Sequence, residues 1–329
     1  MQNPAPAKAH VLVTGGAGFV GSHLVARLLA DGKAVVVVDD LSTGSLDNLR
    51  EVKSHPRLRI IVSTVSGCAE LPQLAASAES IYHLAAAVGV ELVLNSPVRT
   101  LLTNLRETEV LLDAAVPHGV PVLLTSTSEV YGKSQQPAFS EDDDLLIGPP
   151  HQTRWGYACS KLMDEFLALA WARERALPVV VVRLFNTVGP RQTGRYGMVV
   201  PRFIAAARGG QPLKVYGDGA QTRCFCLVTD AVEALIRLQG CAAARGGVFN
   251  VGGTEEVSIK HLAEVVIEEL GSSSRIEYIP YNEAYSAGFE DMRRRKPLVE
   301  KLARVTGFRP ATPLREIIRA TSAGVPVLT

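Results

Sequence analysis

Short apolar runs alternate with segments of helical periodicity along the first half of the chain. The runs "HVLVTG", "AVVVVDD", "LRIIVS", "SIYHLAA" and "VPVLLTSTS" are rich in β-branched residues and predict strands, with a helix from about Phe19 to Asp31 after the first. The run Val35 to Val38 shows no alternation, which is typical of a strand buried on both faces of a parallel sheet. The pattern therefore predicts an α/β fold with a doubly wound parallel sheet of the Rossmann type.

The second half begins with the same pattern and then changes. A helix, "YACSKLMDEFLALAWARERA", and a strand, "LPVVVVRLFN", come first, and segments richer in Gly, Pro and Arg follow them. The segment "SIKHLAEVVIEELG" predicts one late helix. We therefore expect a Rossmann lobe over residues 8–185, to which later strands return, and a smaller C-terminal α/β lobe mainly over residues 186–325.

The composition is that of an ordinary globular protein. Of the 329 residues, 47% are hydrophobic and 20% charged, and the net charge of +1 gives no electrostatic case for binding nucleic acid or an anionic membrane. No apolar run approaches the ~18 to 20 residues that span a bilayer, and the start lacks the apolar core of a signal peptide. The five cysteines form no CxxC pair and have no histidine at metal-binding spacing, so we expect free thiols in a reducing cytoplasm and no metal site.

A glycine-rich turn indicates a dinucleotide site. Gly15, Gly18 and Gly21 follow the first strand at GxxGxxG spacing and open the first helix, where the backbone can approach a pyrophosphate. Asp39 ends the second strand, where its carboxylate can accept hydrogen bonds from both hydroxyls of an adenosine ribose and repel a 2′-phosphate. The expected cofactor is therefore NAD, and the alternative is a glycine-rich turn in some other α/β protein.

Three side chains predict oxidation of an alcohol. Tyr157 and Lys161 lie four residues apart on a predicted helix and share one face. A phenol titrates near 10, and an adjacent ammonium group would lower that pKa. Thr127, at the end of a strand, could orient a substrate hydroxyl. Taken alone, the Tyr-x-x-x-Lys pair is most simply a surface pair, and the dinucleotide motif is what gives it meaning.

The motifs "TGGAGFVG", "HLAA", "STSEVYG", "YACSK" and "RLFNTVGPR" resemble, in this order, those of the extended short-chain dehydrogenases that modify nucleotide sugars. The resemblance runs from about residue 10 to residue 315. It implies a Rossmann lobe that keeps NAD throughout turnover, and a C-terminal lobe that binds a nucleotide diphosphate sugar. It further implies transient oxidation of the sugar at C4 and a homodimer packed through helices.

The resemblance also implies the residues of each site. For the cofactor these are Gly15, Gly18, Phe19, Val20, Asp39, Asp40, Ser42, Thr43, Gly44, Leu84, Ala85, Ala86, Asn104, Tyr157 and Lys161. For the substrate they are Asn186, Val200, Tyr216, Arg223 and Arg295. The loop Leu41 to Gly44 has an ordinary polar turn as its alternative, and Tyr216, expected against the nucleobase, has a core tyrosine as its alternative.

The residues after Thr127 bear on which sugar reaction follows C4 oxidation. Ser128 and Glu129 place a carboxylate where simple 4-epimerases tend to have small or neutral residues, which suggests proton transfer at C5 or C6. The pair Ser128–Glu129 resembles both the UDP-glucuronate decarboxylases and the GDP-mannose dehydratases, and in a dehydration Glu129 could remove the C5 proton. The longer stretches "STSEVYG", "FSEDDDLLIGPP", "RWGYACSK" and "QTRCF" resemble the decarboxylases. Glu129 could instead be a solvated carboxylate. Arg223 could serve catalysis or clamp a diphosphate, and Arg295 is the second candidate clamp.

The sequence therefore predicts an NAD-dependent UDP-sugar enzyme acting through a 4-keto sugar, with decarboxylation of UDP-glucuronate as the first hypothesis. Oxidation at C4 makes the glucuronate a β-keto acid, which loses CO2 readily, and Thr127, Ser128, Glu129, Tyr157 and Lys161 are the expected catalytic residues. The alternatives are a UDP-sugar 4-epimerase, for UDP-glucose or UDP-glucuronate, and a 4,6- or 5,6-dehydratase. An alternative of a different class is a non-catalytic NAD-sensing protein that kept the fold. The presence of Thr127, Tyr157 and Lys161 argues against it.

Overall fold

A computed structural model of the chain describes residues 9–87, 96–192, 198–280, 283 and 292–324. The outer bounds predicted for the two lobes, residues 8 and 325, lie outside this part of the chain. The strands are β1 (His10–Thr14), β2 (Val35–Asp39), β3 (Leu58–Val62), β4 (Ala78–His83), β5 (Val122–Thr127), β6 (Val179–Leu184), β7 (Thr187–Val188), β8 (Leu213–Tyr216), β9 (Thr222–Cys224), β10 (Cys226–Leu227), β11 (Val248–Val251), β12 (Glu256–Ser258), β13 (Ile276–Ile279) and β14 (Arg294–Arg295).

Helices connect most of these strands. They are α1 (Phe19–Ala30), α2 (Leu71–Ser77), α3 (Pro97–Ala115), α4 (Arg154–Arg175), α5 (Val199–Arg208), α6 (Val228–Gly240), α7 (Ile259–Glu269), α8 (Glu300–Thr306) and α9 (Leu314–Gly324). Short 3-10 helices lie at Leu46–Leu49, Val116–His118, Ser128–Tyr131 and Ala242–Ala244.

Seven strands form a parallel sheet in the order β11-β6-β5-β4-β1-β2-β3. The strand order reverses between β1 and β4, and a crevice opens at such a point beyond the carboxyl ends of the strands. The predicted Rossmann sheet is confirmed. The ends of β1, β2, β4 and β5, which carry the predicted cofactor and catalytic residues, therefore lie along one edge of the sheet.

Both faces of the sheet are covered, because alternate residues of each strand point to opposite sides. Val11 and Val13 pack with the apolar faces of α1 and α6. Leu12, between them, packs in a second cluster with residues of α2, α3 and α4. The lack of alternation in the strand sequences follows directly from this double burial.

A smaller apolar cluster is formed by residues of the second half of the chain, within the range predicted for the C-terminal lobe. It joins α5, α7 and α9 to β8, through buried residues such as Ile204, Leu213, Leu262 and Ile317. In this lobe β13 pairs with β8, and β9 lies between β12 and β14. The chain also returns to the first lobe: β11 pairs with β6, and α6 packs in the same apolar cluster as α1.

The cysteines are free thiols, as expected. Cys224 and Cys226 belong to different sheets, because the chain passes from β9 to β10 at Phe225. Both are buried, so they pack in the protein interior. Within the described ranges no group of His, Cys, Asp and Glu could hold a metal ion. None of the helices described there has both the length and the apolar character that a membrane crossing requires.

Candidate active site

The glycine-rich turn is a cradle that side chains would fill. Gly15 has φ +72°, and a Cβ there would lie 2.6 Å from the backbone nitrogen of Ala85, so the turn packs directly on the loop after β4. A Cβ on Gly21 would lie 2.1 Å from the Gly15 carbonyl oxygen, so the third glycine lets α1 close on the turn. Gly18 precedes α1 with extended backbone, and Phe19 and Val20 form its half-buried first turn. This bare backbone at a helix N-terminus fits a dinucleotide pyrophosphate.

Asp39 stabilises the glycine-rich turn through hydrogen bonds. Its two carboxylate oxygens accept hydrogen bonds from the backbone nitrogens of Ala17 and Leu41, each at 2.8 Å. Burial raises the pKa of Asp39, and these backbone hydrogen bonds partly offset that effect. Each oxygen retains further acceptor capacity, so the residue fits the predicted ribose contact while it fixes the glycine turn.

The loop after Asp39 is half-exposed and internally bonded. Asp40 is exposed and accepts hydrogen bonds from the backbone and the hydroxyl of Ser42. Thr43 is half-buried, and a Cβ on Gly44 would meet Ala17 at 2.9 Å and Asp39 Oδ1 at 3.0 Å. This loop therefore packs against the glycine turn, where a bound adenosine would be expected.

The loop after β4 faces the glycine turn from the other side. Leu84 donates from its backbone nitrogen to Thr14, at 3.0 Å, and Ala85 and Ala86 follow it, both half-buried. Asn104 of α3 is buried, and it accepts from the backbone nitrogen of Ala87 and donates to the Ser160 hydroxyl at 3.0 Å. The Asn104 side chain thus ties this loop to α4, the helix that carries the predicted catalytic pair.

A buried histidine lies beneath the loop. His83 Nδ1 lies 2.7 Å from the Thr14 hydroxyl and His83 Nε2 lies 3.1 Å from the Thr108 hydroxyl. Burial, with a smaller contribution from the nearby Lys161 ammonium, lowers the pKa of His83 from 6.5 to about 3. The ring is therefore neutral at physiological pH, and it links β1, β4 and α3 through hydrogen bonds.

The structure brings Thr127 and Tyr157 together. Their hydroxyl groups interact, and Thr127 also caps the short helix Ser128–Tyr131 by accepting from the Glu129 backbone nitrogen at 3.2 Å. Burial, followed by the charges of Glu129 and Asp164, raises the pKa of Tyr157 well above its ordinary value. These effects keep Tyr157 a phenol, and the two hydroxyl groups together could bind a sugar hydroxyl.

Lys161 has a partner that the sequence argument did not identify. Its ammonium donates to Asp164 Oδ2 at 2.7 Å, and the two side chains are only 3% and 0% exposed. Burial raises the pKa of Asp164, although its contact with Lys161 acts in the opposite direction. Lys161 was expected to lower the pKa of Tyr157. In this structure its charge is instead held by a carboxylate three residues further along α4.

A second buried ion pair fixes α4 against the sheet. Glu165 accepts a hydrogen bond of 2.5 Å from the Ser126 hydroxyl and forms an ion pair of 2.8 Å with Arg183. Ser126 immediately precedes Thr127 on β5, and Arg183 lies on the neighbouring strand β6. Glu165 therefore sets the position of α4 relative to the strand end that carries Thr127.

Glu129 is held between two arginines. Arg154, the first residue of α4, donates to Glu129 Oε2 at 3.0 Å, and Arg295 of β14 donates to Oε1. Burial alone would raise the pKa of Glu129, but the guanidinium groups of Arg295, Arg154 and Arg223 outweigh it and hold the pKa below its usual range. Glu129 is thus ionised and only 21% exposed, which excludes the alternative of a solvated strand-end carboxylate.

The other predicted substrate residues occupy varied positions. Asn186 has φ +24°, an uncommon conformation for a residue other than glycine, and its side chain donates to the Cys224 carbonyl at 3.1 Å. Val200 is fully buried in the core of the C-terminal lobe. The Tyr216 hydroxyl accepts from Arg202 at 2.7 Å, and the Arg202 guanidinium lies 4.9 Å from the centre of the Tyr216 ring. Ser128, expected to act with Glu129, is buried at the start of its short helix.

Arg154, Asp164 and Glu165 are three residues of this site that sequence reasoning missed. All three lie on α4: Arg154 precedes Tyr157 by three residues, and Asp164 and Glu165 follow Lys161 by three and four residues. Spacings of three and four place side chains on one helical face, so the helix that carries Tyr157 offered a signal. Nothing local in the sequence distinguishes these three residues from solvated charges. The partners of Arg154 and Glu165 lie on other elements, and Asp164 competes with Tyr157 for the ammonium group of Lys161.

Two curated relatives are similar over almost the whole chain. A UDP-N-acetyl-alpha-D-glucosaminuronate decarboxylase of Bacillus cytotoxicus is 40% identical over 304 residues, which are 92% of this chain and 93% of the relative. UDP-glucuronic acid decarboxylase 2 of Arabidopsis thaliana is 38% identical over 316 residues, which are 93% of this chain and 66% of the relative.

The fold is similar to that of solved sugar-nucleotide enzymes. The structure of a UDP-glucuronic acid 4-epimerase from Bacillus cereus, in complex with UDP-glucuronic acid and NAD, superposes with a TM-score of 0.85 at 26% identity, covering 96% of this chain and 98% of that one. The NAD dependent epimerase/dehydratase family matches residues 11–252. With a glycine cradle, a carboxylate at the end of β2 and an adjoining Thr127–Tyr157 pair, the chain belongs to the NAD dependent epimerase/dehydratase family.

Proposed function

We propose that this protein decarboxylates a UDP-linked hexuronate through a transient 4-keto sugar, with UDP-glucuronate as the first candidate substrate. The observation that carries the proposal is the ionised Glu129 held by Arg154 and Arg295 directly beside the Thr127–Tyr157 pair. A 4-epimerase of a neutral sugar needs no such cationic cluster at its reaction centre. The two decarboxylase relatives support the same choice among the reactions of the family.

The first step oxidises the sugar at C4. NAD supplies, when bound, the hydride acceptor and a positively charged nicotinamide ring. Thr127 orients the C4 hydroxyl by hydrogen bonding. Tyr157 would first lose its own proton to solvent, favoured by the positive charges of bound NAD and of Lys161, and as a phenolate it would accept the proton of the C4 hydroxyl as the C–H bond breaks. Lys161, whose ammonium lies on the same helical face four residues on, provides positive charge near the phenol while Asp164 holds it in place.

The second step releases CO2. The carbon–carbon bond to the carboxylate breaks, and its electron pair passes through C5 and C4 onto the C4 oxygen as an enolate. Thr127 and the now protonated Tyr157 can donate hydrogen bonds to that oxygen. A proton then adds to C5, the hydride returns to C4, and Tyr157 gives its proton back to the C4 oxygen.

The role of Glu129 follows from its charge. A carboxylate whose pKa lies below the usual range is almost wholly ionised at neutral pH, so it is poorly suited to donate the proton that C5 requires. We propose that Glu129 instead holds the two guanidinium groups in position. Ser128 and Arg223 stay candidates for assisting proton delivery to C5, because both adjoin this cluster.

A specific observation favours a second substrate. The Bacillus cytotoxicus relative, 40% identical over nearly equal lengths, is named for the 2-acetamido sugar, UDP-N-acetyl-glucosaminuronate. The proposed chemistry at C4, C5 and C6 is the same for either sugar, since the two differ only at C2. We therefore propose the class of UDP-hexuronates and leave the choice of C2 substituent to the assay.

The test is to incubate the protein with NAD and each of the two UDP-hexuronates, and with UDP-glucose as a neutral control, and to weigh the products. We expect a loss of CO2 from at least one uronate, and none from a Tyr157→Phe variant. An unchanged mass with a new retention time would instead indicate a 4-epimerase, and a loss of water a dehydratase. If both uronates are recovered unchanged, the proposal is wrong.

Two broader expectations belong to the same proposal. We propose that two copies of the chain form a homodimer through α3 and α4, because these helices expose apolar side chains at helical spacing, among them Leu102 and Phe166. We also propose a cytoplasmic location, because the five thiols are unpaired and such thiols persist in a reducing compartment.

A further inference from the structure

We propose that Arg154 is the residue that recognises the carboxylate of the substrate and so selects hexuronates over neutral hexoses. This inference rests on the proposed function and identifies the residue that recognises the carboxylate attached to C5. The guanidinium of Arg154 binds a carboxylate, that of Glu129, in the structure.

The position of Arg154 on α4 places its guanidinium near the reacting carbon. Arg154 precedes Tyr157 by three residues, so the two side chains lie on one face of the helix and about 4.5 Å apart along its axis. Tyr157 and Thr127 define where the C4 hydroxyl binds. The substrate carboxylate is attached to C5, the carbon next to C4, and therefore lies within the reach of an arginine side chain one helical turn away.

The local charges favour a further anion. Glu129 is a single carboxylate shared by two guanidinium groups, so these three side chains together retain positive charge. The Arg154 side chain is 13% exposed, and its guanidinium lies 4.9 Å from the centre of the Trp155 ring. Glu129 and Trp155 hold the guanidinium in place, and a planar guanidinium with five N–H donors suits recognition of carboxylates.

Arg295 is less suited to this task. It lies on β14 in the C-terminal lobe, 166 residues along the chain from Glu129, whereas Arg154 shares one rigid helix with Tyr157. The distance between Arg154 and the site of C4 oxidation is therefore set by a single element. Arg295 fits better with the diphosphate role that the sequence predicts for it.

The experiment compares two ligands that differ only at C6, UDP-glucuronate and UDP-glucose. Their dissociation constants are measured by calorimetry, with NAD present and in a Tyr157→Phe background that prevents turnover. The Arg154-containing protein should prefer the uronate. Arg154→Gln should weaken the uronate by about 10- to 100-fold and UDP-glucose by less than about threefold, because only the uronate loses a charge-assisted contact.

Two further variants sharpen the result. Arg294→Gln is the matched control, since Arg294 is also an arginine paired with a glutamate, Glu256, but lies on β14 and is half-exposed; it should leave both constants unchanged. Arg154→Lys, which keeps the charge but not the planar fork, should restore part of the preference. A partial restoration is not expected if Arg154 only supports the fold.

The inference is overturned if Arg154→Gln weakens both ligands equally, leaves both unchanged, or if the parent protein shows no preference for the uronate. These results are separable from the test of the reaction. If Arg154→Gln removes the preference for the uronate but the unmodified protein releases no CO2, Arg154 still recognises the carboxylate and the decarboxylase proposal is wrong. If CO2 is released and the preference survives Arg154→Gln, the reverse holds.

Discussion

At the scale of single residues, His83 couples the stability of the fold to pH. Its pKa is about 3 in the folded protein and 6.5 when unperturbed, so the unfolded chain takes up a proton below pH 6.5 that the folded chain refuses. Stability is therefore lost as the pH falls from 6.5 towards 3. Between pH 7 and pH 5 the loss due to His83 is about 2 kcal/mol.

Replacement of His83 by Gln should remove this dependence. Urea unfolding at pH 7 and pH 5 gives the free energy of unfolding at each pH, and the drop should be about 2 kcal/mol smaller in His83→Gln than in the parent. His118→Gln serves as the control, because His118 lies exposed in a 3-10 helix and its replacement should leave the drop unchanged. Equal drops in parent and His83→Gln would show that His83 is not held neutral.

At the scale of elements, the glycine turn and α1 depend on the absence of one methyl group. A Cβ at Gly21 would lie 2.1 Å from the Gly15 carbonyl oxygen, whereas a Cβ at Gly18 would lie 3.1 Å from the same atom. Gly21→Ala should therefore force the turn and helix apart and cost about 1 to 3 kcal/mol of stability. Gly18→Ala should cost less than about 1 kcal/mol, because its φ of −72° suits alanine.

The two alanine variants should also differ in whether their weaker NAD binding is accompanied by a loss of stability. Gly18→Ala should weaken NAD binding in a protein of nearly normal stability, because its methyl group would occupy the space beside the pyrophosphate. Gly21→Ala should lose stability and NAD affinity together. Thermal unfolding and calorimetric titration with NAD distinguish the two patterns, and a Gly21→Ala variant as stable as Gly18→Ala would contradict the packing argument.

Helices with a helical repeat of apolar residues and strands with continuous apolar runs were predictable from the sequence. Contacts between elements distant along the chain were not. The pairing of Tyr157 with Lys161 on one face of α4 needed only the helical repeat, and the strands needed only their apolar runs. The partner of Lys161 was not predictable, because Tyr157 and Asp164 both lie within one turn of it and burial decides between them. The contact between Glu129 and Arg295 spans 166 residues and leaves no local pattern.

At the scale of the whole molecule, the apolar faces of α3 and α4 predict how two copies associate. On α3, Val98, Leu102 and Leu105 follow helical spacing and are exposed, and on α4 Met163 and Phe166 are exposed three residues apart. The two helices, 19 and 22 residues long, pack on the same face of the sheet. Two copies joined here would bury four helices together, the kind of apolar contact that stable homodimers form.

The dimer prediction is tested with Phe166→Asp, which places a charge on a side chain that is 59% exposed in the single chain. In an isolated subunit this change should cost little, but at a buried contact an unpaired carboxylate is costly. Sedimentation should give twice the chain mass for the parent and a single chain mass for Phe166→Asp. Tyr278→Asp, at an exposed aromatic residue of β13, should remain dimeric. A dimeric Phe166→Asp would place the association elsewhere, and a monomeric parent would contradict the dimer proposal outright. Either result would mean that α4, the helix of Arg154, Tyr157 and Lys161, makes no subunit contact through Phe166.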